Sequence, residues 1–306
     1  DGLKSGGGWS LELKDTKFPF YDEGNWVASS SRNGGTPGLV NSVSSGNPDT
    51  SFYGIRNVFP DDSNTIIVRF SEPVINLSRD TRDVVIEGIG AIEILPRDPL
   101  SREFSLKTRD PLIRGEVYKL MVSEKIKDFA GNQLQKSTFE FGITEPSLSK
   151  DILFNELLFN PFPDDPDYIE FYNSSEKVID ASRLQLVSVN DDTGDTSQLT
   201  PVSLEKRCIL PGSYYAITTD KKKISYRYYS ADPDHLFEIT YLPSMPDDRG
   251  HLILYNRELD KIDEVFYSDS LHYSLLSDNE GVALAKNMPL NSSEEALNWY
   301  SASESM

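Results

Sequence analysis

"DILFNELLFNPFPDDPDYIEFYNSS" (residues 151–175) reads as two strands around a turn. Its first half, ILFNELLF, is apolar apart from Asn155 and Glu156, and its second half carries YIEFY. Between them Pro163-Asp164-Asp165-Pro166 is turn chemistry, because proline presets φ and aspartate bonds back to its own backbone. A carboxylate at Glu156 inside such a strand needs a partner, or burial raises its pKa. Strict alternation puts Glu156 on a face with Phe154 and Leu158, and Glu170 becomes its neighbour if the two strands pair. No nucleophile or histidine is marked beside them. A hydrogen-bond network that pins the strand therefore stands against a catalytic role as the account of Glu156.

The rest of the chain has the same texture. It holds 306 residues, with 15 Tyr, 15 Phe and 3 Trp, an aromatic load that disordered chains lack. Nineteen Gly and 18 Pro are scattered through its length, so turn signals interrupt it often, the signature of many short strands. Residues 52–145 include the runs TIIVRF, DVVIEGI, AIEILP, EFSLKT, VYKLMVS and TFEFGI, spaced as in a sandwich. Helix is expected only in DKKKISYRYY (220–229), with Asp220 as N-cap, and as one further turn in SSEEAL (292–297). VNDDTGDTSQ (189–198) reads as a hairpin tip rather than an EF-hand loop.

A phrase near the start returns at the end. Gly8-Trp9-Ser10-Leu11-Glu12-Leu13 precedes Asn25-Trp26, and Gly281-Val282-Ala283-Leu284-Ala285-Lys286 precedes Asn298-Trp299; Gly and Asn lie 17 positions apart in both. Such a repeat marks a structural unit used twice. Residues 1–45 form an ending without a body: about 45 residues cannot bury a self-sufficient core without disulfide or metal. Trp9, Leu11, Leu13, Phe18, Phe20 and Trp26 would otherwise expose a large apolar patch, so the segment is expected to lie against a sheet edge, in cis or in trans.

Two resemblances sharpen this division. VFPDDSNTIIVRFSEPV (58–74) and IKDFAGNQL (126–134) resemble the opening and late loop of the bacterial Ig-like domain of S-layer and other surface proteins. FNELLFNP, DYIEFYNSS, IDASRLQL, ILPGSYYAITTD, DNEGVALAK and NWYSASES, in that order, resemble the landmarks of a bacterial lamin-tail domain, an Ig-like β-sandwich. In bacterial members the close continues into a GGTPG…NS phrase, which stands here at 34–42 behind the first NW. The resemblance implies an all-β chain of tandem Ig-like β-sandwiches joined by short linkers. It further implies that residues 1–45 are the tail of a preceding lamin-tail-like module packed on a sheet edge, 52–145 an Ig-like sandwich and 150–306 a lamin-tail-like sandwich.

The charge balance narrows the function. A net charge of −19 repels nucleic-acid phosphates and anionic membrane surfaces. The cluster Lys221-Lys222-Lys223 reads as a solvated face. One cysteine, Cys208, forbids an intrachain disulfide, and His235, His251 and His272 show no ligand spacing. No apolar run approaches the roughly 20 residues of a membrane helix. The start at Asp1 reads as a window from which an export signal has been cut. G-x-S-x-G, H-E-x-x-H and phosphate-loop motifs are missing.

The densest acidic group is Asp164, Asp165, Asp167 and Glu170, a candidate for calcium, which takes six to eight oxygens. The competing reading is a plain turn, since PDD recurs at 60–62 and 246–248. No other cofactor is expected. The sequence points to a non-catalytic, exported bacterial surface segment, extracellular or at the cell surface. It would serve display, spacing or adhesion toward a protein or carbohydrate ligand. The alternative is an accessory region of a secreted nuclease or phosphoesterase whose catalytic domain lies elsewhere.

Overall fold

The computed structural model describes residues 4, 6–17, 24–46, 48–75, 77, 81–190, 193–228 and 232–302. Pro19 and its neighbours Phe18 and Phe20, Asp191 and Asp192 of the hairpin tip, and Tyr229 lie outside the described residues. The chain is all-β, with one short α-helix among the described residues, and it divides into two compact units. One comprises residues 1–57, 65–110 and 119–139; the other comprises 58–64, 111–118 and 140–306.

A five-stranded sheet, in the first unit except for residues 58–60 of its longest strand, runs in the order Leu134–Lys136, Phe52–Pro60, Thr65–Phe70, Glu103–Thr108, Ala91–Pro96. Ile66, Val68 and Phe70 are buried while the residues between them are half-buried, the alternation a sheet with one core face produces. Phe70 packs between Phe52 (ring centroids 6.0 Å) and Phe104 (5.7 Å). Burial of each such side chain stabilises by about 1.5–3 kcal/mol. The DFAGN turn forms as expected: Asp128 Oδ1 accepts from the Asn132 amide at 2.7 Å, and Gly131 takes φ +90°. Phe52–Pro60 is the longest strand among the described residues but is absent from the runs that alternation picks out, because Gly54, Arg56 and Asn57 interrupt its apolar pattern.

The same unit holds the first copy of the repeated phrase, as a two-stranded ribbon of β1 (Leu11–Leu13) and β2 (Trp26–Ala28). Leu11 pairs with Ala28, Glu12 with Val27 and Leu13 with Trp26. Glu12, not the apolar residues, is the buried side chain of β1. It accepts from Thr36 Oγ1 (2.8 Å), the Ser42 amide (2.7 Å) and Ser42 Oγ (2.7 Å), so the GGTPGLVNS segment folds around a carboxylate. Burial alone would raise its pKa; the hydrogen bonds from Ser42, Thr36 and Ser29 outweigh that and hold it at about 2.

In the second unit, a six-stranded sheet is made of β3 (Ile152–Leu158), β4 (Tyr168–Asn173), β5 (Tyr214–Thr218), β6 (Leu236–Glu238), β7 (Leu284–Lys286) and β8 (Trp299–Ser301), in the order β6-β5-β4-β3-β7-β8. Facing it is a four-stranded sheet of Thr200–Pro201, Gln185–Val189, Arg249–Tyr255 and Lys261–Ser268. Phe154, Ile169, Phe171, Ile217, Leu252, Val265, Leu284 and Trp299 belong to the one core between them. The helix α1 (Lys221–Arg227) starts where Asp220 accepts from the Lys223 amide at 3.1 Å. The chain after Val189 turns back to bridge Val189 with Thr196, the hairpin expected there. SSEEAL gives a single 3-10 turn, at Ala296–Asn298.

β7 and β8 repeat β1 and β2 at a constant displacement of 273 positions. Leu284 pairs with Ser301, Ala285 with Tyr300 and Lys286 with Trp299, register for register. The flanking bonds match as well. Ser29 N donates to Ser10 O at 2.8 Å, and Ala302 N to Ala283 O at 2.8 Å; Lys14 N donates to Asn25 O at 2.8 Å, and Asn287 N to Asn298 O at 2.9 Å. Each asparagine then clamps the turn with its amide. Asn25 Oδ1 accepts from Asp15 N at 2.9 Å while Asn298 Oδ1 accepts from Met288 N at 3.0 Å. The two asparagines are buried for this reason: a buried amide persists only when both its ends are bonded.

Candidate functional site

The far face of the six-stranded sheet, away from the main core, carries the chemistry. The pairing of β3 with β4 shifts register between Phe154 and Glu156, so Asn155 is an extra residue in the strand. Strict alternation fails at that bulge. Phe154 belongs to the main core opposite Phe171, while Glu156 lies opposite Glu170 and Leu158 packs in the separate cluster on the helix side. Glu156 therefore does not share a face with Phe154, contrary to the sequence expectation; it does share one with Leu158. A single inserted residue exchanges faces because strand side chains repeat every two positions.

The expected neighbour of Glu156 is present: Glu170 is its register partner. Tyr168 donates its hydroxyl to Glu156 Oε1, and Asn155 Nδ2 donates to Glu170 Oε1 at 2.8 Å. Burial raises the pKa of Glu156, against the Tyr168 hydrogen bond. Burial, reinforced by the charge of Glu156, pushes Glu170 up to about 7. Two carboxylates this close do not ionise independently, and the pair retains a proton near neutrality. Tyr168 is raised well above its ordinary value by burial and by the same carboxylates, so it stays a donor.

These groups border a cavity of about 560 Å³. Its lining combines sheet residues, Glu156, Tyr168, Glu170, Tyr214 and Leu236, with Ile224 of α1 and with Ser213, Tyr228, Asp232 and His235 from the adjoining segments. Tyr228 meets Tyr168 edge-on at 5.6 Å and donates to Gly281 O at 3.0 Å. His235 is stacked on Tyr215 at 4.1 Å, with Asp232 3.8 Å from its Nε2. The arrangement offers paired acceptors in an aromatic-lined recess. Asn155 Oδ1, buried beside Glu170, has no hydrogen-bond partner.

The four carboxylates named as calcium candidates take different places. Asp164 is exposed, with its carbonyl accepting from Lys223 Nζ; Asp165 is ion-paired with Arg227. Asp167 is pushed up to about 7 by burial and then by the charge of Asp247, and Glu170 belongs to the cavity. Among the described residues, the three-carboxylate set with oxygens within 4.8 Å of one another is instead Asp49, Glu72 and Asp128, in the first unit. Asp128 there already accepts both the amide and the side chain of Asn132.

The histidines are separated too. His251 stacks on Phe266 at 3.9 Å and His272 Nδ1 lies 3.0 Å from Ser301 Oγ. Cys208 is buried, and burial pushes its thiol up to about 12, which leaves it unreactive at neutral pH. Sequence reasoning singled out Glu156 and Glu170 but not Asp232, His235 or Tyr214, which come to the cavity from loops and strand ends. Tyr214 lies in the aromatic phrase ILPGSYYAITTD, the one signal available; Asp232 and His235 lie outside it and outside SYRYY. No helix among the described residues is long and apolar enough to cross a membrane.

No family model matches the chain, so the lamin-tail resemblance rests on the quoted motifs alone, and no curated protein matches it. Among solved structures, the N-terminal part of the bacterial S-layer protein SbsC aligns at 22% identity over 46% of this chain and 36% of that one, with a TM-score of 0.27. SbsC domains 1–6 align at 12% identity over 70% and 40%, TM-score 0.27. The Yersinia pseudotuberculosis adhesin InvE aligns at 10% identity over 76% and 65%, TM-score 0.22. The chain spans 36–40% of the length of these S-layer structures. At TM-scores this low the alignments carry no argument about fold or activity.

Proposed function

We propose that this chain is a non-catalytic binding segment of an exported surface protein, extracellular or at the cell surface, built from tandem β-sandwich modules. In this reading residues 1–45 close a preceding lamin-tail-like module, 52–145 form the Ig-like sandwich and 150–306 carry the binding site. The observation that supports it is the pair Glu156–Glu170 in a tyrosine-lined cavity. Paired carboxylates holding a proton are poised to exchange it for a cation, and aromatic walls add cation–π attraction once water is displaced. The ligand that fits is a basic side chain presented by a protein partner. A net charge of −19 favours the approach of such a partner.

The test is calorimetric titration with a blocked tripeptide, acetyl-Gly-Lys-Gly-amide, against its acetyl-lysine counterpart. The lysine peptide binds, the acetylated one does not, and binding strengthens from pH 6 to pH 8 as the pair gives up its proton. Glu170→Gln weakens it by about tenfold, equivalent to ~1.4 kcal/mol. Equal heats from both peptides, or an unchanged affinity in Glu170→Gln, would rule the reading out. A calcium site at Asp164, Asp165, Asp167 and Glu170 remains a separate proposal, tested by whether calcium raises the melting temperature in chelator-treated protein.

A further inference from the structure

The two ribbons are the same structure in different surroundings. In the second unit β7 lies between β8 and β3: Leu284 pairs with Leu157 and Ala285 with Glu156 along its outer edge. Leu284 is then fully buried and Trp299 is 2% exposed, both in the main core. In the first unit β1 pairs with β2 alone among the described residues. Leu11, the equivalent of Leu284, is 67% exposed, and Trp26, the equivalent of Trp299, is 40% exposed. Leu11, Leu13, Trp26 and Ala28 share the face that in the second unit packs into the core, since Leu11 lies opposite Ala28 and Leu13 opposite Trp26.

The other face of the first ribbon is already committed. Glu12 is buried under Thr36 and Ser42. On the outer edge Asn41 Nδ2 donates to Leu13 O at 3.0 Å, so the open positions of that edge are the Leu11 backbone groups and the Leu13 amide N–H. The flanking antiparallel bonds direct Ser10 and Lys14 toward β2, which leaves the Leu11 backbone on the outer edge, where Leu284 meets Leu157. An exposed, apolar strand edge is a template for another strand.

We propose that the outer edge of β1 receives a strand of the β3 type from a second β-sandwich whose sheet lacks its last two strands, and that the ribbon completes that sheet. The register follows from the repeat. A leucine equivalent to Leu157 stands opposite Leu11, and the residue equivalent to Glu156 stands opposite Glu12, so that Leu11 and Trp26 enter the partner's core. A second folded copy of this chain is not the occupant, because its own β3 is bonded on one edge by β4 and on the other by β7. The partner is a β-sandwich with a free apolar edge strand, joined by strand addition. The inference rests on the proposed reading that residues 1–45 close another sandwich module; it uses the repeat and not the cavity, so its failure is distinguishable from failure of the lysine-binding test.

The experiment uses the full chain and a synthetic peptide with the sequence of residues 151–160, carrying a short lysine tail for solubility. Hydrogen exchange is followed over residues 9–14, with tryptophan fluorescence as a second readout. The peptide slows exchange at the Leu11 and Leu13 amides by on the order of tenfold or more, and tryptophan emission moves to shorter wavelength. Leu11→Asp, at an exposed position, leaves the fold intact and abolishes both effects; so does a peptide with its Leu157 equivalent changed to Asp. Unchanged exchange over residues 9–14 at ~1 mM peptide, or equal protection in Leu11→Asp, overturns the proposal. Protection over residues 152–158 without protection over 9–14 also overturns it, because the peptide is then exchanging with β3 itself.

Discussion

Glu156 stands directly opposite Glu170 across two antiparallel strands, and both carboxylates face the cavity rather than the core. Like charges opposite one another in a sheet destabilise it unless one is neutralised. Here neutralisation is by proton.

That arrangement fixes the sign of the pH dependence. Glu170 has a folded-state pKa of about 7 against an unfolded value near 4.5, and Glu156 is raised as well. The folded protein therefore holds protons that the unfolded chain releases, and the stability associated with them is full below pH 4.5 and lost as pH rises through 7. Asp167 shifts the same way, burial acting first and Asp247 second. The second unit should melt at lower temperature at pH 8 than at pH 5. Glu170→Gln should flatten that slope and raise stability at pH 8 by on the order of 2 kcal/mol. Scanning calorimetry at the two pH values checks both statements; a wild-type melting temperature that rises with pH over this range would contradict them.

The strands, the turns and the repeat were legible in the sequence because each depends on residues close along the chain. TIIVRF, AIEILP and EFSLKT are strands at the quoted residues, and Asp220 caps the helix where its spacing said it should. The face of Glu156 was not legible. One inserted residue, Asn155, reverses every side chain after it, and nothing in NELL distinguishes a bulge from a regular strand. Nor was the cavity, whose lining draws Asp232 and His235 from a segment more than 60 positions beyond β3, brought there by the order of strands in the sheet. Periodicity gives which residues alternate; it does not give which strand lies beside which.

Asp263 was likewise unmarked, yet it anchors the entry to β3. Its carboxylate accepts from the Phe154 amide at 2.9 Å, Lys150 Nζ at 2.9 Å and Ser293 Oγ at 2.5 Å, with no exposure of the side chain. Removing it strands the buried Phe154 amide and takes the acceptor from Ser293 Oγ, and it leaves Lys150 with Glu294 as its ion-pair partner at 3.3 Å. Asp263→Ala should destabilise the second unit by about 3–5 kcal/mol, measured by urea unfolding, whereas Lys150→Ala, at a half-exposed partner, should cost less. Equal losses from the two would mean that the ion pair, and not the buried carboxylate, carries the effect.

Gly8 and Gly281 occupy the same place in the two ribbons and both take positive φ, +82° and +76°. A Cβ at Gly8 would meet nothing within 4 Å, while one at Gly281 would lie 2.1 Å from the Phe162 ring. Gly8→Ala should therefore cost only the left-handed backbone penalty of about 1–2 kcal/mol. Gly281→Ala adds displacement of Phe162 and should cost more. Chemical denaturation of the two variants reads the difference directly, and a smaller loss for Gly281→Ala would refute the assigned packing.

Trp26 and Trp299 supply the sharpest comparison, since each lies opposite the third residue of the strand that precedes it. Trp299 fills the core and donates Nε1 to Ser293 O at 2.9 Å, so its removal takes both apolar burial and a buried hydrogen bond. Trp299→Ala should cost about 3–5 kcal/mol. Trp26 lacks that enclosure, and Trp26→Ala should cost under about 1 kcal/mol in the isolated chain. The ranking follows from surroundings alone, because the ribbon geometry is the same in both. Urea unfolding of each variant, followed by circular dichroism, tests it. If Trp26→Ala proves as costly as Trp299→Ala, the first ribbon is already packed by something within this chain, and its outer face is not waiting for a partner.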